Sequence, residues 1–424
     1  MPYRVAPYTL MEYDVEVNPL AIAPEPILKE LPLTPATARN VIGRKILGGP
    51  EFRLGNYYYI RLRDKDDGSQ ETILIVGPSG TGKTLIAKLL IEVMWYNGFT
   101  PIFTISRKDD FMHLDQFNIR DRFTLCKMFK EWVWIYTGVK NVEKLGSPVL
   151  GKYAISKRDI KLVNAFDSHK FKVETLYPAY AKKEPSFKLN LKFLDVWSIA
   201  DMYGLSIETK YMHTLDRVFR NVWNSPNPPK NPDDFIREIY EVAQHTSDSK
   251  VRLYLELICE NLNQDRHLFQ DDFKNLLLKY YQDKYIVNLS FYEVEQSILE
   301  VAFISNFIRE VIDCMKKISS CALIFDDIGF FTKSKSIPRI LDELINVEGR
   351  LAHAGIKKIL IVQNIKQLPR ILQDPSIYNK IFYSKPRIGW FRTSHPQFQC
   401  ELVDNDLNEN VLIYLRPPVI GRGT

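Results

Sequence analysis

The sequence lacks the marks of several protein classes. Its five cysteines, Cys126, Cys259, Cys314, Cys321 and Cys400, are scattered through 424 residues with no CxxC pair. That pattern argues against a zinc ribbon or a disulfide framework and predicts a reducing compartment. Its seven histidines show no metal-ligand spacing either. No run of about 18 apolar residues occurs, as a membrane-spanning helix would need. The longest apolar helical stretch, 301–312, is interrupted by Asn306, Arg309 and Glu310. The first twenty residues lack the basic and apolar regions of a signal peptide. A soluble, cytoplasmic chain is expected, at most peripheral to a membrane. Neither sign of charge dominates: 57 Lys/Arg against 51 Asp/Glu leave +6, which permits a nucleic-acid partner without demanding one. No internal repeat is visible.

What is present is the balance of a globular protein, 45% apolar and 25% charged, with 12% aromatic residues to fill a core. The length fits one large domain or two. Residues 1–50 read as an extended N-terminal arm, because seven prolines fall within the first 40 positions and Pro disfavours helix. This arm is either a flexible tail or a segment packed on a neighbouring subunit. Residues 51–204 read as the first part of a core. Strands are expected at 57–62, 72–76 and 101–105, and a helix at 83–96 closed by Asn97-Gly98. Strand, helix, strand in that order argues for a parallel α/β sheet. Within it, residues 121–192 hold fifteen Lys/Arg against seven Asp/Glu, a surplus larger than that of the whole chain. Interleaved with Trp132, Trp134, Tyr153 and Phe166, this is either a solvated basic face or a surface for DNA or phosphate.

Residues 205–280 read as an all-α insertion, with helices at 207–222, 232–243, 250–261 and 271–281. Asn231 and Pro232 supply a cap and a first turn for the second of these. Residues 281–424 complete the core, with strands at 285–289, 321–325, 358–362, 381–384 and 411–415 and helices from 294 and at 338–354.

One motif carries the chemistry. Gly77-Pro78-Ser79-Gly80-Thr81-Gly82-Lys83-Thr84 matches G-x-x-x-x-G-K-[ST] in full, between an apolar strand and a helix that continues through Leu85. Glycines let such a loop curl until successive backbone N–H groups converge on phosphate oxygens, and the helix N-terminus adds its dipole. Lys83 then reaches the β- and γ-phosphates and the Thr84 hydroxyl ligates Mg²⁺. Average residue usage gives this pattern in roughly one chain per hundred before context is counted. Leu323-Ile324-Phe325-Asp326-Asp327 is the strand that ends in carboxylates: Asp326 is expected to hold Mg²⁺ through water and Asp327 to act as general base. Gln363, at the tip of Ile359-Leu360-Ile361-Val362, is placed to sense the γ-phosphate or orient the attacking water.

Together these pieces resemble the HerA/FtsK superfamily of ring-forming P-loop motors, the group that includes the ATPases of type IV secretion. The resemblance covers roughly residues 55–385. Thr100-Pro101-Ile102-Phe103-Thr104-Ile105-Ser106-Arg107-Lys108-Asp109 is similar to the strand and turn after the family's first helix, with Ser106 where Asp is commoner. Tyr285-Ile286-Val287-Asn288-Leu289-Ser290 resembles its "IDLS" strand, with Asn288 for Asp. Gly355-Ile356-Lys357-Lys358-Ile359-Leu360-Ile361-Val362-Gln363 is similar to "G-I-x-L-I-L-A-T-Q". The family places an Arg three residues before that glycine; here the position is Ala352, and Arg350 is the nearby candidate for an arginine finger.

The resemblance implies a RecA-like P-loop NTPase core with a mostly parallel sheet and an inserted all-α subdomain. It implies ATP and Mg²⁺ as cofactors, a hexamer with ATP at subunit boundaries, and DNA in a basic channel. The function expected is an ATP-driven translocase of double-stranded DNA, of packaging, transfer or segregation type. The alternative is an ATPase that powers protein export or virion/pilus assembly on a polypeptide substrate. The arm is too short for the β-barrel of cellular HerA proteins, which favours a trimmed viral, plasmid or transfer-type motor. Its place would be the cytoplasm, or the edge of a membrane or virion assembly site, with any membrane or nuclease partner unidentified.

Overall fold

The computed structural model describes residues 40–47, 53–63, 71–115, 171–270, 274–293, 297–314, 320–328, 355–385, 398–415 and 418. The proline-rich residues 1–39, the bulk of the basic segment (116–170) and the expected helix at 338–354 with Arg350 lie outside them.

In chain order, β1 (Val41–Leu47), β2 (Arg53–Tyr59) and β3 (Glu71–Val76) precede α1 (Lys83–Tyr96) and β4 (Ile102–Ser106). Then come β5 (Val173–Pro178), β6 (Ser186–Phe187), β7 (Leu189–Asn190), α2 (Val196–Tyr203), α3 (Thr209–Trp223), α4 (Pro232–His245) and α5 (Ser249–Gln264). The chain continues through β8 (Phe269–Gln270), α6 (Lys274–Asp283), β9 (Ile286–Ser290), α7 (Ser297–Cys314) and β10 (Ser320–Phe325). It ends with β11 (Gly355–Val362), β12 (Lys380–Tyr383), β13 (Gln399–Asp404) and β14 (Glu409–Leu415).

Among the described residues, twelve strands form one sheet in the order β2-β1-β14-β13-β12-β3-β11-β10-β4-β9-β5-β6. From β12 to β6 every pairing is parallel, whereas β13, β14, β1 and β2 pair antiparallel and form a flank. The fold is therefore α/β with a mostly parallel sheet, as the sequence predicts. All residues of β3, β4, β9 and β10 are buried, because a parallel sheet is covered on both faces and its strands read as unbroken apolar runs. Alternate residues divide between two cores. Leu74, Phe103, Leu323 and Phe325 pack with α7 and the helices of 205–280, while Ile73, Ile75, Ile102 and Ile324 pack with α1. Each such side chain contributes roughly 1.5–3 kcal/mol.

The helical block has the apolar spacing of surface helices: Met212, Leu215, Phe219 and Val222 form the buried stripe of α3. Asn231 caps α4 by accepting from the Asp234 N–H at 2.8 Å, with Pro232 in the first turn. The block also contains β8, which pairs with β7 and ties it back to the core, so the stretch is not purely helical.

Two expectations are corrected. Residues 41–47, read as part of the arm, form β1 between β2 and β14. No proline falls between Pro35 and Pro50, and Gly43 allows the close approach: a Cβ there would lie 2.3 Å from the Tyr414 carbonyl oxygen. The strand expected at 57–62 runs instead from Arg53 to Tyr59, because pairing with β1 sets its limits.

At the edge where the parallel strands begin, buried charges meet. Glu71 of β3 contacts Lys380 of β12 at 2.7 Å and Lys357 of β11 at 3.4 Å. Asp406 accepts from Arg63 at 2.6 Å, from Asn379 at 3.1 Å and from Lys380 at 3.2 Å. The Lys357 ammonium donates to the Arg63 carbonyl at 2.7 Å.

Candidate active site

At the opposite edge β3 runs into the glycine loop. Gly80 and Gly82 adopt φ of +75° and +92°, a region that only glycine enters at no steric cost. Gly82 precedes α1 without a capping side chain, and the first turn of the helix holds no acidic residue. The positive end of the helix dipole therefore meets no protein carboxylate of its own first turn. The Lys83 side chain is buried and its ammonium donates to the Pro78 carbonyl at 2.8 Å. Burial lowers its pKa and the charge of Lys108 adds to this, while Asp326 and Asp327 oppose it.

The parallel register brings the second half of the site to the same edge. Phe325 is level with Leu360, and Leu360 with Leu74. The carboxylates just past Phe325, the amide just past Val362 and the loop just past Val76 thus leave the sheet side by side. Asp326 is 2% exposed. Its Oδ2 accepts from the Ser106 hydroxyl at 3.0 Å and lies 3.5 Å from the Lys108 ammonium, while its Oδ1 has no hydrogen-bond partner. Burial pushes this carboxyl up from its ordinary value, with Lys108 and Ser106 pulling the other way. Asp327 takes φ +55°, a left-handed turn that Asp tolerates better than most residues, and its Oδ2 accepts from the Gln363 amide at 3.3 Å.

A buried carboxylate oxygen with no donor costs free energy unless a cation or proton satisfies it. The Asp326 Oδ1 and the Thr84 hydroxyl are hard oxygen donors of the kind Mg²⁺ prefers, so the residues present fit the ion the motif implies. Among the described residues no cluster of His, Cys, Asp and Glu suggests a further metal site. The edge can therefore surround a polyphosphate with backbone N–H groups and the Lys83 cation on one side and with carboxylates and an amide on the other.

The structure adds residues that the sequence did not single out. Ser384, just past β12, lies against the loop: its Oγ is 2.5 Å from the Thr81 Oγ1. Lys108 reaches Asp326 from a turn that Arg107 anchors through two hydrogen bonds, at 2.8 and 2.6 Å, to the buried Glu300 of α7. Ser106 and Asn288, where the resemblance would put Asp, serve as neutral partners, Ser106 to Asp326 and Asn288 accepting from Thr104 at 2.9 Å. The signal for Ser106 and Lys108 was their place at the end of β4 and in the turn after it. Ser384 had no local signal, since its partner is 303 positions away.

No family model and no curated protein matches the sequence. Solved structures do match. VirB4 of Thermoanaerobacter pseudethanolicus is 10% identical over 89% of this chain and 96% of its own, with a TM-score of 0.47. The bacterial conjugative coupling protein TrwB is 10% identical over 84% and 86%, with a TM-score of 0.45. The genome packaging NTPase B204 from Sulfolobus turreted icosahedral virus 2 is 11% identical over 85% and 100%, with a TM-score of 0.32.

Proposed function

We propose that this chain is an ATP-hydrolysing ring motor that translocates double-stranded DNA. The observation that supports hydrolysis is the convergence at one sheet edge of the Gly77–Thr84 loop, the Asp326–Asp327 pair and Gln363, each on its own parallel strand. Backbone N–H groups of Ser79, Gly80, Thr81 and Gly82 hold the phosphates; Gly77, whose N–H donates to the Val362 carbonyl at 3.2 Å, and Pro78, which has no N–H, shape the loop, with Leu85 in the first turn of the helix behind them. The Lys83 ammonium, drawn from the Pro78 carbonyl, balances charge on the β- and γ-phosphates. Thr84 and Asp326 would hold Mg²⁺, which supplies charge neutralisation where negative charge develops. Asp327 accepts the proton of the attacking water, and Gln363, already bonded to Asp327, orients that water.

The finer part of the reading, DNA as cargo in a hexameric ring, rests on the basic surplus of residues 121–192 and on the HerA/FtsK resemblance. Arg350 is the proposed finger toward the neighbouring subunit's ATP. Among the described residues no helix is long and apolar enough to cross a membrane. The test is the ATPase rate with and without duplex DNA, together with a native mass. Stimulation by DNA that fades with added salt, in a hexamer, is expected. A rate indifferent to DNA contradicts the cargo assignment and points to a polypeptide.

A further inference from the structure

We propose that Ser384 is a positioning residue for the phosphate loop, acting through Thr81 and Pro78 on the Lys83 ammonium. The inference rests on the reading of the loop as a nucleotide site. Ser384 is fully buried. Its backbone N–H donates to the Val76 carbonyl at 2.9 Å, the last residue before the loop. Its hydroxyl lies 2.5 Å from the Thr81 hydroxyl and 3.3 Å from the Val76 carbonyl. Thr81 Oγ1 is in turn 2.7 Å from the Pro78 carbonyl.

Proton counting sets the direction of this chain. Each hydroxyl has one proton, and a carbonyl can only accept. Two hydroxyl protons cannot serve all three contacts; the two shorter ones are both made only when Thr81 donates to Pro78 and Ser384 donates to Thr81 at 2.5 Å, which leaves the 3.3 Å approach of Ser384 to the Val76 carbonyl without a proton. The Pro78 oxygen has two lone pairs; one takes the Thr81 proton and the other the Lys83 ammonium at 2.8 Å. The sequence Ser384 to Thr81 to Pro78, with Lys83 on the same carbonyl, links β12 directly to the cation that meets the phosphates. Gly77 completes the arrangement. A Cβ at that position would lie 2.0 Å from the Ser384 hydroxyl and 3.0 Å from that of Thr81, so the serine fills the space that a side chain at 77 would need. Since β12 also pairs with β13, the loop is held by the strand on which the parallel core and the antiparallel flank meet.

The test is equilibrium binding of a fluorescent ADP to the full chain, with Ser384→Ala, Thr81→Val, the double variant and Thr81→Ser, alongside steady-state ATPase kinetics and thermal midpoints. Loss of one hydrogen bond to a buried partner predicts about tenfold weaker ADP binding for Ser384→Ala and for Thr81→Val. KM should rise with kcat changed less than about twofold, as for uniform binding lost from ground and transition states alike. Because both variants break one chain, the double variant should bind no worse than the weaker single one, and Thr81→Ser should bind as the parent does. ADP affinity of Ser384→Ala within about twofold of the parent, or losses that multiply in the double variant, would overturn the proposal. Should Ser384→Ala fail to fold, Thr81→Val against Thr81→Ser decides in its place: equal affinities of those two overturn it. A parent chain that does not bind ADP sinks the nucleotide reading itself, and this inference with it.

Discussion

At the edge where the parallel strands begin, Glu71, Lys357, Lys380, Arg63 and Asp406 are joined by ion pairs and hydrogen bonds of 2.6–3.4 Å. At the edge where the same strands end, Asp326 is buried like Glu71, yet one of its oxygens has no hydrogen-bond partner and the ammonium of its ion-pair partner Lys108 stands 3.5 Å away on a side chain 43% exposed. Both edges bury charge in the same sheet. The first gives Glu71 two lysines within 3.4 Å and leaves only the Asp404 Oδ2, 3.8 Å from the Lys380 ammonium, without a hydrogen-bond partner, and the second leaves the Asp326 Oδ1 unmatched beside the glycine loop. Charges that hold a fold are paired, because a lone buried ion is costly. Charges kept open at a cleft are the usual mark of a functional site.

The largest effect that would sharpen this contrast is kinetic. Asp327→Asn keeps the shape of the side chain but removes the proton acceptor, and general-base losses run to about 10²–10⁴-fold. Hydrolysis should fall by that order while ATP still binds, measured as single-turnover cleavage against equilibrium affinity; unchanged turnover would remove Asp327 from the chemistry. Next is a change at the other edge. Glu71→Ala leaves Lys357 and Lys380 buried without their shared carboxylate, a loss of about 3–5 kcal/mol for breaking a buried pair. Chemical denaturation should report that loss, with ADP affinity of the folded fraction unaltered.

The smallest effect is a pH dependence. Partial burial alone would raise the Asp406 carboxyl, but Arg63, Asn379 and Lys380 bring it down to about 2. A carboxyl with a lowered folded-state pKa contributes stability above its unfolded value, lost as pH falls from near 4 towards 2. Stability of the parent chain should therefore drop more steeply across that window than that of Asp406→Asn, and parallel acid curves would break the comparison.

How much of this was legible in the sequence follows from how local each cause is. α1 was read to its observed limits, because the loop motif fixes its start and Asn97-Gly98 its end, with Gly98 at φ +73°. The central strands were legible as unbroken apolar runs. β13 was not, since Gln399, Glu401 and Asp404 make it look polar although all three are buried; Glu401 accepts from Asn410 of β14 at 3.2 Å, a partner visible only after folding. β5 mixes intermediate and buried positions and shows no clean alternation. Gly77, Lys83, Thr84, Asp326, Asp327 and Gln363 could be named as candidates because strand tips in a parallel sheet share one edge. Ser384 and the Arg63–Asp406 pair, 343 positions apart in the latter case, depend on the strand order itself.

The central claim is that the glycine loop and the acid pair are two halves of one phosphate site. ATP affinity measured with and without Mg²⁺, in the parent chain, in Lys83→Ala and in Asp326→Asn, tests it most directly. The account predicts that Mg²⁺ tightens binding to the parent, that Lys83→Ala binds weakly under both conditions, and that Asp326→Asn binds as the parent does without the ion and gains nothing from adding it. An Asp326→Asn chain that kept the full Mg²⁺ enhancement would contradict it.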